Sequence, residues 1–301
     1  MANFSEFSAM FQGIRGWKSA CFAALLPLFV PVSAGAQEPL TQNVVQSYAD
    51  LVGLAESSPL VVFAELKKVI PLPLPRDTSP FLTVQRAYVE AQGIDLLSGT
   101  GSVSASVRYL ADIRLDSRHK IPNPRKQMVL VFARPGATAG DIQLVSPDAQ
   151  LPWSQPLEAQ VRKILADLAA PDSPPHITGI NMALYQQGDL AGEGETQIFL
   201  TTAKGTPAAI IIQHKPNQPS RWSASFSEVV DAANAPPAQN TLEWYRLACS
   251  LPETLPAAAN LGETQADKDQ AVADYLLVRR DLGPCTRTRV SWGGDIAKPA
   301  K

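Results

Sequence analysis

The sequence predicts an α+β protein. An antiparallel β-barrel or sandwich forms the first half, and a smaller α+β part follows, with its own antiparallel sheet and C-terminal helices. Three observations carry this. Val103 to Leu115 (VSASVRYLADIRL) places Val103, Ala105, Val107, Tyr109, Ala111, Ile113 and Leu115 on one face, an unbroken period of two. The first five strand-like runs are joined by turns and loops that hold no helical crossover, so they pair antiparallel. After Trp153 the pattern changes to helical spacing, and four strand-like runs and then two helical ones follow.

The chain opens with a segment that belongs to targeting rather than to the fold. Arg15 and Lys18 form a positive region ahead of the apolar run Cys21 to Val32, and Ala34-Gly35-Ala36 matches an A-x-A cleavage pattern. Pro27 and Pro31 interrupt that run, which is shorter than the roughly 20 residues a bilayer span needs. Residues 1–36 are therefore expected to be a signal peptide cleaved after Ala36, and the mature chain is expected to be periplasmic or secreted without a transmembrane span.

Residues 37–153 read as the β-rich domain. Val44, Val45, Tyr48, Leu51, Val52 and Leu54 follow helical spacing within Gln37 to Ser58, and Ser57-Ser58-Pro59 stops that helix. Strands are expected at Leu60 to Ile70, Thr83 to Asp95, Val103 to Leu115, Gln127 to Arg134 and Asp141 to Val145, with a proline-rich loop from Pro71 to Pro80. Residues 154–288 read as the α+β domain. Ser154 caps a helix to Ala170 with Pro156 in its first turn, and Leu157, Val161, Ile164, Leu165 and Leu168 form its apolar stripe. Four strands follow at Ile177 to Tyr185, Glu195 to Ala203, Ala208 to His214 and Arg221 to Phe226, with a hairpin turn at Lys204-Gly205. Asn240 with Glu243 resembles a capping box for a helix from Thr241 to Leu251, and Gln265 to Leu282 is a second helix ended by Gly283-Pro284. Residues 289–301 are expected to be a disordered tail.

Composition narrows the chemistry. A formal net charge of −2 gives no reason to expect nucleic acid or an anionic membrane as partner. Once the leader is removed, Cys249 and Cys285 are the remaining cysteines, and in an oxidising compartment they are expected to form one disulfide. With the three histidines His119, His176 and His214 scattered along the chain, a zinc set is the poorer reading. The metalloprotease, nucleophile-elbow, P-loop and dinucleotide motifs are absent. Ser117-Arg118-His119-Lys120 matches S-x-x-K, but it sits in a charged loop rather than at a helix start, so it reads as chance. Serines abound, yet none occupies a recognisable nucleophile turn, and no catalytic residue is assigned.

Two loops are candidate binding sites. Arg114, Arg118, Lys120, Arg125 and Lys126 form a basic loop suited to an anionic glycan or headgroup, and a solvated loop is the plainer reading. Asp189, Glu193 and Glu195 surround Gly192 and Gly194, and clustered oxygens on a flexible loop suit calcium, which takes about six to eight of them. A solvated turn is again the alternative, and no cofactor is expected. Trp153, Trp222, Trp244 and Tyr245 read as core or interface residues.

The runs SPLVVFAELKKV, VSASVRYLADI and QMVLVFARP resemble exported bacterial proteins whose first half is an OB-like barrel of the netrin-module type. The whole chain, with LVSPDAQLPW, AGEGETQIFL and WYRLAC, also resembles uncharacterised exported proteins of alphaproteobacteria, a resemblance that implies no activity. The expected function is a non-catalytic binding or interaction protein of the cell envelope, with an envelope protein or a glycan as partner. The alternatives are a periplasmic hydrolase with a dispersed site and an envelope assembly factor.

Overall fold

The computed structural model describes residues 46–74, 83–99, 105–124, 126–227 and 235–289. The expected signal peptide and its cleavage site lie outside these residues, as do Arg125 and the expected tail beyond Arg289.

The fold is mixed α+β, and every ladder between its strands is antiparallel. Helix α1 (Tyr48–Ser57) starts at Ser47, whose hydroxyl oxygen accepts the Asp50 N–H. The first sheet contains β1 (Leu60–Pro71), β2 (Val84–Ser98), β3 (Val107–Arg114), β4 (Met128–Pro135), β5 (Ile142–Leu144) and β6 (Gln150–Pro152). Its order is β3-β2-β1-β4-β5, with β6 also on β4. The short β6 was not anticipated: QLP is too brief to display a periodicity. The sheet is not closed by a continuous ladder. Its ends meet at an isolated parallel bridge between Arg108 and Asp141, beside an Arg108 N–H to Gly140 carbonyl bond of 2.8 Å.

On the alternating face of β3 Val107, Tyr109 and Ala111 are buried and Ile113 is half-buried. The strand is shorter than expected: Ala105 is an exposed bend residue ahead of it, and Val103 lies outside the described residues. The Tyr109 hydroxyl donates to Gln150 Oε1 at 2.7 Å. Burial pushes its pKa well above the ordinary tyrosine value.

Helix α2 (Gln155–Ala169) begins at Ser154 as expected and buries Val161 and Ile164. The second sheet follows in the order β10-β9-β8-β7, formed by β7 (Ile177–Gln187), β8 (Gly194–Thr202), β9 (Ala209–His214) and β10 (Arg221–Ser225). Helix α3 (Leu242–Ser250) is capped by Thr241, whose hydroxyl accepts the Trp244 N–H. This corrects the expected capping box. Asn240 is instead in the left-handed region at φ 60°, a turn residue one position too early to cap. Helix α4 (Gln265–Leu282) has a true capping box between Thr264 and Asp267, and Gly283 ends it at φ 70°. Among the described residues no helix is long and apolar enough to cross a membrane.

One buried cluster runs from α1 and the first sheet through α2 to the second sheet, α3 and α4. Tyr275, Phe132, Leu51, Leu130, Ile164, Ile198 and Leu247 are among its fully buried members. Trp222, Trp244 and Tyr245 belong to it, whereas Trp153 is 36% exposed, tilted against Phe63, and donates its indole N–H to Glu158 at 2.6 Å.

Two polar clusters sit within this apolar frame. The first joins α3 to α1. Arg246 on α3 pairs with Glu56 on α1 at 2.5 Å and donates to the Pro174 carbonyl at 3.0 Å. It also meets His176 Nδ1 at 3.1 Å. Arginine is only a donor, so Nδ1 accepts and Nε2 carries the proton that faces Glu56 at 3.3 Å.

The second cluster holds the segment after α4. Asp50 accepts the Thr288 N–H at 2.7 Å, the Arg289 N–H at 2.9 Å and the Ser47 hydroxyl at 2.8 Å. Arg289 then reaches Asp148 at 2.6 Å, so residues 285–289 strap α1 to the β5–β6 loop. Burial alone would raise the Asp50 carboxyl, but the bonds from Arg289, Ser47 and Thr288 together hold it below the usual carboxylate range. A depressed carboxyl stabilises the fold above its unfolded value, and that contribution is lost as pH falls through the folded value. Asp50→Asn should therefore destabilise the protein at neutral pH by a margin that shrinks as the pH is lowered below about 4. Thermal melts of both proteins across that range measure it; a margin independent of pH would remove Asp50 from the acid response.

Candidate functional site

Two places combine accessible surface with organised polar chemistry. The first is the outer face of β1, β2 and β3. In this register Ile70 lies opposite Tyr88 and Tyr88 opposite Leu110, so the three side chains form a row across three strands. Ile70 is 38% and Leu110 49% exposed, and Tyr88 is half-buried. The next rows on this face are charged: Lys68, Glu90 and Arg108 on one side, Arg86 and Asp112 on the other. Arg86 and Asp112 are bonded at 2.7 Å, and Arg108 pairs with Asp141 at 2.8 Å.

On β3 the same face continues to Arg114 and then enters the predicted basic loop. The loop is organised by Asp116, which accepts the Arg118 N–H at 2.8 Å and the Lys120 N–H at 3.0 Å. Those bonds, Lys120 first, hold its carboxyl below the usual range. The left-handed His119 (φ 57°) and Lys126 (φ 63°) bend the loop. Arg114, Arg118, Lys120 and Lys126 form no ion pair among the described residues.

The second place lies at the β9–β10 hairpin. The turn Lys215-Pro216-Asn217-Gln218 closes with the Gln218 N–H on the Lys215 carbonyl at 3.1 Å. Proline stands at its second position and Asn217 is left-handed (φ 57°) at its third, as a type II turn requires. The chain then delivers Ser220 just before β10, 3.0 Å from His214 Nδ1 at the end of β9. His214 Nε2 is 2.9 Å from Asp274 Oδ2 on α4. Asp274 also accepts the Thr196 hydroxyl from β8, and the Gln270 amide at 3.0 Å. Asp274 is 2% exposed, and the His214 side chain 16%. Tyr185 meets the His214 ring edge-on at 6.0 Å between centroids. Burial, then the charges of Asp274 and Asp267, raise the tyrosine's pKa above its ordinary value. Gly194 makes room for the Tyr185 ring, with which any Cβ at that position would collide.

A cavity of about 450 Å³ opens beside this hairpin, lined by Gln213, Lys215, Ser220, Arg221, Trp222 and Asp281 among others. Asp281 accepts the Trp222 indole N–H at 3.1 Å and pairs with Arg280. Lys215 and Arg221 form no ion pair among the described residues.

The acidic loop leads into β8 beside the second place, where Gly194 lies opposite His214 and Glu195 opposite Gln213. Glu193 turns back to the Leu190 N–H at 3.4 Å, Glu195 accepts amides from Gln197 at 2.7 Å and Gln213 at 3.2 Å, and Asp189 is exposed. Among the described residues no three His, Cys, Asp or Glu side chains converge as a metal site would. Cys249 and Cys285 are joined as a disulfide.

The Ser220–His214–Asp274 chain was not identified from the sequence, although one sign of it is present there. On α4 the buried positions Ala271, Asp274, Tyr275, Val278 and Leu282 follow helical spacing, which places an acid inside an apolar stripe. A carboxylate at such a position requires a partner, but its identity is set by β8 and β9. No known family model and no curated protein matches the chain.

Proposed function

We propose that the chain is an exported binding protein of the cell envelope, periplasmic or secreted, which engages an envelope protein or a glycan through the outer face of β1–β3 and the basic loop beside it. The observation that carries this reading is the uncovered Ile70–Tyr88–Leu110 row bordered by charge. Single exposed apolar side chains are ordinary on a protein surface, but a cross-strand row continuous with cations that form no ion pair among the described residues fits an amphipathic, anionic partner.

The resemblance to an OB-like barrel of the netrin-module type supports the same face. The order β3-β2-β1-β4-β5 and the parallel contact of β3 with the start of β5 agree with such a barrel left partly open. In OB-folds the face of the second and third strands is the one that binds, which is an argument from analogy of fold. The Arg15 and Lys18 leader, the apolar run to Val32 and Ala34-Gly35-Ala36 support export. The Cys249–Cys285 disulfide agrees with an oxidising compartment. The resemblance to uncharacterised exported alphaproteobacterial proteins belongs to this proposal too.

The test is cross-linking of the tagged protein in intact cells. One variant carries Tyr88→Ser with Leu110→Ser, and another replaces Arg118, Lys120, Arg125 and Lys126 by Ser. A partner captured by the unaltered protein should be lost in both, while the thermal midpoints stay close to the parent. Capture unchanged in both variants would discard this face.

A further inference from the structure

The geometry points to Ser220 as a nucleophile, activated by His214, for hydrolysis of small esters that carry an anionic group. This goes beyond the binding reading and does not rest on it, since it concerns the second sheet.

The argument begins with the protons. Asp274 accepts bonds from three donors, Thr196, Gln270 and His214, which is the arrangement of an ionised carboxylate that only accepts. His214 Nε2 therefore carries a proton toward Asp274, and in the neutral imidazole Nδ1 is then the acceptor for the Ser220 hydroxyl proton at 3.0 Å. Nucleophile, base and orienting acid thus form one hydrogen-bonded chain. The ring is reversed relative to the serine-protease template, in which Nε2 faces the serine. Either nitrogen of a neutral imidazole takes a proton, so the reversal does not block the chemistry.

A purely architectural role accounts for Thr196, Asp274 and His214, which tie α4 to the second sheet. It does not require Ser220, a half-buried residue that lines the cavity. That volume is within the range of small-molecule sites, about 300–1,000 Å³. Lys215 and Arg221 line it with no ion-pair partner among the described residues, whereas Asp281 is already bonded to Trp222 and Arg280. The lining therefore favours an ester with a carboxylate or similar anion.

In the reaction, Ser220 Oγ attacks the ester carbon while its proton passes to His214 Nδ1, and Asp274 stabilises the imidazolium. The C–O bond to the alcohol breaks, and that oxygen takes the proton from Nδ1. Water then attacks the acyl-serine, returns a proton through His214 to Ser220 Oγ, and releases the carboxylic acid. The sum is ester plus water giving acid plus alcohol.

The test uses the disulfide-bonded mature protein, an alkyl fluorophosphonate, and two nitrophenyl esters, the acetate and the mono-succinate. Mass spectrometry of the folded protein should find the phosphonyl adduct on Ser220 and none in Ser220→Ala. General-base assistance is worth about 10²–10⁴-fold, so His214→Gln should slow labelling by at least about 10²-fold. The succinate should be cleaved faster than the acetate, and Lys215→Ser with Arg221→Ser should erase that preference. Should His214→Gln fail to fold, the comparison of Ser220→Ala with the parent still decides. Absence of an adduct on Ser220, or ester hydrolysis equal in Ser220→Ala, would overturn the assignment. An acetate rate equal to the succinate rate would overturn the anionic substrate class.

Discussion

Arg246→Ala should cost about 3–5 kcal/mol of folding stability, the range for removing one partner of a buried ion pair. The Arg246 side chain is 4% exposed and Glu56 17%, so neither charge is well hydrated in the folded state. Truncation strands Glu56 inside the contact between α1 and α3. It also leaves the Pro174 carbonyl and His176 Nδ1 without their guanidinium donor. The loss should exceed that of a surface pair, about 0–1 kcal/mol. Urea denaturation with a common slope measures it. The double variant Arg246→Met with Glu56→Leu should recover most of the loss, because apolar replacement of both partners removes the desolvation penalty. A single variant within about 1 kcal/mol of the parent would mean that the pair is effectively hydrated.

The second large effect is expected from the disulfide. Cys249 and Cys285 are 36 residues apart, and closing a loop of that length stabilises by about 4 kcal/mol on the chain-entropy model. Cys249→Ala with Cys285→Ala should lower the melting temperature by roughly 10 °C for a chain of this size. The bond also anchors the strap that follows it, in which the Thr288 and Arg289 N–H groups reach Asp50. Hydrogen exchange at those two amides should accelerate more than exchange in α4 itself. Equal acceleration throughout would reduce the bond to a general constraint on the unfolded chain. Reduction of the parent protein should reproduce the double variant.

The helices and most strands were readable because their signals are local. Ser154 and Pro156 start α2, and Gly283 ends α4, through bonds that span a few residues. The run from Val107 to Arg114 shows its buried face in its own alternation. The misreadings share a physical reason. Asn240 and Thr241 are both good caps, and the choice between them is made by where the chain must turn before α3 packs. Strand β6 has only three residues and exists because β4 offers an edge to it.

By itself the sequence determined the α+β class, the antiparallel pairing implied by short connections and, with Cys21 assigned to the expected leader, the disulfide partners, since periodicity, caps and cysteine count are properties of short segments or of composition. The tertiary structure alone decided which distant polar groups meet. Asp274 and His214 are separated by 60 positions, Arg246 and His176 by 70, and Thr288 and Asp50 by 238. No local pattern encodes such pairs. They arise when apolar faces pack and leave buried charges that must find one another. The candidate chemistry of this protein lies in those meetings.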